Sequence, residues 1–173
     1  MRRAILLVVC LGLGGLAARA QAQSSGTVGA DATVVTVGMT IATLRDLNFG
    51  TVIKGVPATV LPTAATAGQW RVTGSSNAFV IISFTLPTQL TNIQALPGST
   101  MPILFSAVSA VWRRATNNPA GGNVFNPGAG VVGRLGPTAN PTLYIWLGGT
   151  VNPALTAKPG IYQANVVVSL IYQ

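Results

Sequence analysis

The stretch Ile161-Tyr162-Gln163-Ala164-Asn165-Val166-Val167-Val168-Ser169-Leu170-Ile171-Tyr172 sets Tyr162, Ala164, Val166, Val168, Leu170 and Tyr172 on one side of an extended chain and polar Gln163, Asn165 and Ser169 on the other. Strand side chains alternate with period two, so this pattern predicts a strand with one face toward a core. The pattern recurs upstream. Ala78, Val80, Ile82, Phe84 and Leu86 form an unbroken apolar face opposite Ser83 and Thr85, and Pro87 ends it. Residues 33–41 place Val35, Val37, Met39 and Ile41 on one face. Residues 47–53, 69–73, 101–112 and 142–151 are further extended candidates, the third apolar on both faces. No window offers a long amphipathic helix with capping residues, and β-branched Val, Ile and Thr dominate. About seven short strands therefore predict an all-β fold, a β-sandwich.

The beginning of the chain reads differently. Met1-Arg2-Arg3 is a basic start, residues 4–16 are apolar, and Ala18-Arg19-Ala20 and Ala20-Gln21-Ala22 are small-x-small sites. That order predicts a secretory signal peptide over residues 1–22, cut after Ala22. The apolar run is shorter than the roughly 20 residues that span a bilayer, so no transmembrane segment is expected once it is removed. Losing Arg2, Arg3 and Arg19 leaves seven of the ten basic residues against two acids, a net charge of +5 instead of +8. Cys10 leaves with it, so no disulfide is available to a protein expected outside the cytoplasm. Residues 23–173 are expected to form one β-sandwich domain held by its core, with a Gly-, Pro- and Asn-rich loop at 115–141.

Composition bears on chemistry. The 173 residues include no His and no Glu, and the only carboxylates are Asp31 and Asp46. General-base and zinc chemistry rely on His, Cys and paired carboxylates, so neither catalysis, a metal nor a cofactor is expected. Gly128-Ala129-Gly130-Val131-Val132-Gly133 spells a dinucleotide fingerprint, but Asn126-Pro127 precedes it, Gly136-Pro137 follows, and no acid lies after Asp46. The fingerprint requires a strand before it, a helix after it and an acid for the ribose, so it is read as coincidental. A serine nucleophile would need a lysine partner, and no Ser-x-x-Lys spacing occurs. Trp112-Arg113-Arg114 joins an aromatic ring to two guanidinium groups beside the long loop, a surface-binding candidate for anionic ligands. The plainer reading is a strand end keeping its charge in water. Nucleic acid is not expected as a partner of an exported chain.

Three segments carry a resemblance: Leu47-Asn48-Phe49-Gly50-Thr51-Val52, Leu147-Gly148-Gly149-Thr150-Val151, and Lys158-Pro159-Gly160-Ile161-Tyr162 leading into the alternating strand that ends in Tyr172. Together they resemble domain-of-unknown-function family 4402, secreted bacterial proteins similar to spore coat protein U and to chaperone–usher fimbrial subunits. The resemblance implies an immunoglobulin-like, pilin-like sandwich at the cell surface, without a catalytic site. In fimbrial subunits the sheet lacks its last strand, and an N-terminal extension of the next subunit fills the gap by strand addition.

By that resemblance Tyr162, Ala164, Val166, Val168, Leu170 and Tyr172 form an acceptor edge, after which the sequence ends at Gln173. Val35, Val37, Met39 and Ile41 are then either the plug of a donated strand or part of the domain's own first strand. Both readings stand at this point, as does self-complementation. The expected function is a non-enzymatic, exported structural or adhesin-like subunit of a bacterial surface appendage or coat, assembled by strand exchange. Its expected partners are other copies of itself or related subunits, with a periplasmic chaperone and an outer-membrane usher in transit to the cell surface or medium. The alternative is a monomeric secreted binding module for glycans or anionic surfaces, using Trp112, Arg113, Arg114 and the loop.

Overall fold

The computed structural model describes residues 38–94 and 100–173. Residues 1–22, expected to be a signal peptide, and Val35 and Val37, two of the four plug candidates, lie outside the described residues. Those described belong to the unit Val35–Gln173. It is all-β and antiparallel, with no helix among the described residues.

The strands, in chain order, are β1 (Thr40–Arg45), β2 (Ala58–Val60), β3 (Gly68–Thr73), β4 (Phe79–Thr85), β5 (Gln89–Asn92), β6 (Thr100–Leu104), β7 (Ala110–Arg114), β8 (Asn123–Phe125), β9 (Val131–Arg134), β10 (Thr142–Leu147), β11 (Gly149–Val151), β12 (Tyr162–Gln163) and β13 (Val167–Tyr172). They form three sheets, ordered β1-β3-β10-β7-β8, β12-β5-β6-β11-β2 and β13-β4-β9.

The first and third sheets face each other as a sandwich. Trp70 and Val72 of β3, Leu143, Ile145 and Leu147 of β10 and Ala110 of β7 meet Val80 and Ile82 of β4 in one buried cluster. Full burial of an aliphatic or aromatic side chain contributes about 1.5–3 kcal/mol, so this cluster is the main stabilising element. A smaller cluster of Met101, Ile103 and Val151 lies on the second sheet, and Phe105 packs on both.

Several extended candidates are shorter than the sequence pattern implied, each for a local reason. Residues 101–112 divide into β6 and β7, because the Ser109 hydroxyl accepts the Ser106 N–H at 2.8 Å and turns the chain. Residues 142–151 divide at Gly148, where a Cβ would overlap the Val60 carbonyl oxygen. The terminal stretch divides into β12 on β5 and β13 on β4, opposite the break at Pro87 between those partners. Residues 47–53 form no strand. Asn48 Oδ1 accepts the Gly50 N–H at 2.7 Å, and Gly50 has φ +66, a left-handed conformation that ends an extended run.

The 115–141 segment holds β8 and β9, which do not pair with each other. β8 pairs with β7 and β9 with β4, so the chain crosses here from the first sheet to the third. The fingerprint glycines lie on this crossing, with no helix after them. Gly133 is a packing residue, since a Cβ there would stand 2.9 Å from Ile82 Cδ1 and 3.0 Å from Leu143 Cδ1.

Candidate functional site

β1 pairs with β3 and β13 with β4; among the described residues neither has a second strand partner. Both edges lie on the same side of the sandwich. β9, on the other side of β4, touches β7, which puts β13 over the β1/β3 end. The Tyr172 hydroxyl, bonded to the Ser75 N–H just after β3, fixes the same placement.

Between Thr43 of β1 and the linker that leads into β13 opens a trough of about 1000 Å³, and β13 itself is not part of its lining. One wall is Thr43 of β1 and the loop residues Leu47, Phe49 and Val52; the other is Tyr162 with the linker Ala164, Asn165 and Val166. Trp70, Leu90, Met101, Ile103 and Val151 make an apolar floor. Lys54, Lys158 and Asp46 put charge on the lining, with one positive charge in excess.

Local bonds hold the walls in place. The Asn48 N–H donates to the Thr66 carbonyl at 2.9 Å, so the Asx turn of residues 48–50 cannot swing away from the floor. On the opposite wall the Tyr162 hydroxyl donates to the Lys158 carbonyl at 2.7 Å, and the Ile93 N–H donates to the Ile161 carbonyl at 2.9 Å. Buried Asn92 donates to the Pro159 carbonyl at 3.3 Å and accepts the Gln94 N–H at 2.9 Å. These contacts close the turn at residues 158–161. The trough is a shaped feature of both loops, each anchored to the sheets by backbone hydrogen bonds.

The acceptor-edge residues are placed unequally. Val168, Leu170 and Tyr172 stand opposite Phe84, Ile82 and Val80 and pack on the core, as does Val166. They remain half-buried, although Ile82 and Val80 beside them are fully buried. Ala164 is exposed in the linker, and Tyr162 packs on the smaller cluster. Of the plug residues, Ile41 belongs to β1, paired with Val72, and Met39 packs on the main core just before it. Ile41 is 41% exposed, although Val72, its partner on the same face, is fully buried. The apolar faces at both edges are therefore only partly covered.

Trp112, Arg113 and Arg114 do not converge. Strand alternation turns Trp112 inward onto the core, where its indole N–H finds no acceptor among the described residues. Arg113 points outward beside Tyr144 and donates to the carbonyls of Asn118 and Ala120. Arg114 Nε donates to the Leu135 carbonyl at 2.8 Å, and its Nη2 donates to Asn77 Oδ1. A second recess, about 340 Å³, lies between residues 63–65 and Asn117, with Gln69 and Trp146 in its lining and Arg45 beside them. No group of three or more His, Cys, Asp or Glu occurs among the described residues.

No protein-family model matches the chain, and no curated protein matches it.

Proposed function

We propose that the chain is a non-enzymatic, exported structural subunit that assembles by strand exchange, its trough receiving an extended segment of another copy or of a related subunit. The trough, beside two edge strands that have no second strand partner among the described residues, is the observation that carries this reading. An incoming strand would run along the edge of β13 and add a backbone ladder there, and its alternate side chains would cover the half-buried apolar face of that edge. Apolar area removed from water contributes roughly 25 cal/mol per Å², so covering Val166, Val168, Leu170 and Ile41 favours the assembled state. The immunoglobulin-like topology and the likeness to family 4402 and to fimbrial subunits belong to this proposal, as do the surface location and the chaperone–usher partners.

The position of β1 refines the donor. Met39 packs on the domain's own core and Thr40 and Ile41 serve its edge, so in this reading a donated segment lies before residue 39. The test is gel electrophoresis of protein taken from its native surface, in detergent, with and without heating. Heat-labile ladders are expected, reduced to monomers by Leu170→Asp; monomers alone from the unaltered protein would overturn the reading.

A further inference from the structure

The outer face of the β13-β4-β9 sheet departs from the usual division of an antiparallel sheet into a buried apolar face and a polar solvated one. In register across the three strands, Ile171, Ile81 and Val132 form one row, and Phe79 beside Arg134 begins the next. Val167 lies farther along β13 on the same face. These five apolar side chains are between 40% and 64% exposed, although residues one position away, Val80 and Ile82, are fully buried. Ile171, Ile81, Val132 and Phe79 are contiguous, with Ser169 and Ser83 between them and Val167, and an exposed apolar patch of this kind marks an interaction surface.

Its occupant follows from the charge at one end. The Arg134 guanidinium stands 5.2 Å from the Phe79 ring centroid, and its Nε donates to the Asn77 carbonyl at 3.0 Å. Arg114 reaches the Asn77 side chain from β7. One asparagine thus gathers two guanidinium groups, and among the described residues neither has a carboxylate partner. Asp46, the only described acid, follows the opposite end of the β1/β3 pair. After loss of the expected signal peptide, a second copy of this chain brings two side-chain carboxylates against seven basic residues, so stacking copies on this face would set like charges together. Neither recess described above is lined by these residues.

We propose that this face binds an anionic phospholipid surface. Phe79, Ile81, Val132 and Ile171 enter the boundary between headgroups and acyl chains, while Arg134 and Arg114 meet the phosphates. A cation over an aromatic ring beside aliphatic side chains suits that boundary, where one side of the contact is apolar and the other wet. The trough opens at the sheet edge, so the two surfaces are separate.

The test is co-sedimentation of the full chain with vesicles of phosphatidylcholine, with or without phosphatidylglycerol. Binding is expected only with phosphatidylglycerol and is expected to weaken with salt. Arg134→Gln should reduce it about fivefold, and Ile81→Thr with Ile171→Thr about tenfold. Arg71→Gln, on the outer face of the first sheet, should leave it unchanged. Should the double variant lack the wild-type near-UV circular dichroism, Val132→Thr gives the same comparison. Equal binding to both vesicles, no binding, or unaltered binding by the variants would overturn the proposal. Self-association without vesicles that the double variant abolishes would overturn it in favour of a second copy. Retention on a soluble polyanion that depends on Arg134 alone, without vesicle binding, would overturn it in favour of that ligand.

Discussion

The Tyr172 hydroxyl accepts the Ser75 N–H at 2.9 Å, joining the end of the last strand to a turn 97 residues earlier. Gly74 makes the contact possible, because a Cβ there would overlap that hydroxyl. This bond adds to the ladder with β4 in holding β13 over the core.

Tyr172→Phe keeps the ring and removes the acceptor. It should cost about 1 kcal/mol, the usual net value of a hydrogen bond, seen as a lower urea midpoint at unchanged slope. Gly74→Ala must displace the ring itself and should cost more, about 1–3 kcal/mol.

Met101 on the trough floor is 3% exposed. Met101→Ala should lose about 2–5 kcal/mol by leaving a cavity in the smaller cluster. Lys54→Ala, in the same lining but exposed, should change stability by less than about 0.5 kcal/mol. Thermal melts of the two variants give the comparison.

Ala115 sits at φ 55, where an L-residue with a Cβ is strained. Ala115→Gly should raise stability by up to about 1 kcal/mol, the relief of strain outweighing the added freedom of the unfolded chain. Gly136→Ala, whose Cβ would overlap the Asn140 carbonyl, should act in the opposite direction. Both are read from chemical denaturation.

The chain contains no His. A group makes stability depend on pH only where its proton affinity differs between folded and unfolded states, and His is the side chain that ordinarily titrates near neutrality. Unfolding free energies from urea titrations between about pH 5.5 and 7.5 should therefore agree within about 0.5 kcal/mol. A sloping profile across that window would contradict this expectation.

β4 was legible because an apolar residue stands at every second position from Ala78 to Leu86 and Pro87 follows. The all-β class followed from the same kind of pattern. Residues 47–53 were not legible as a loop, since their apolar spacing suits a strand and only the Asn48 side chain, bonded to the Gly50 backbone, diverts them. Residues 101–112 read as one strand because both faces are apolar. In fact Met101 and Ile103 serve one cluster and Ala110 the other, with the serine turn between them. One wall of the trough, through Val166, and the β13 edge beside it were visible in the alternation of Val166, Val168 and Leu170. The opposite wall and the floor were not, because they depend on contacts such as Asn48 with Thr66 and on the approach of loops far apart in sequence. The outer apolar face of β4 also escaped notice. Phe79 and Ile81 were hidden in a run read only for its inner side, although an apolar residue at every position from 78 to 82 was the available signal.

Gly148 lets β10 continue into β11 with hardly a pause, so one run of chain serves two sheets. β6 and β7 do likewise through the serine turn, and Phe105 between them packs on both clusters. The smaller cluster therefore cannot melt without pulling on strands of the larger one. Unfolding should run as a single cooperative event, and tension entering at the second sheet is passed through covalent backbone into the sandwich instead of being borne by side-chain contacts alone.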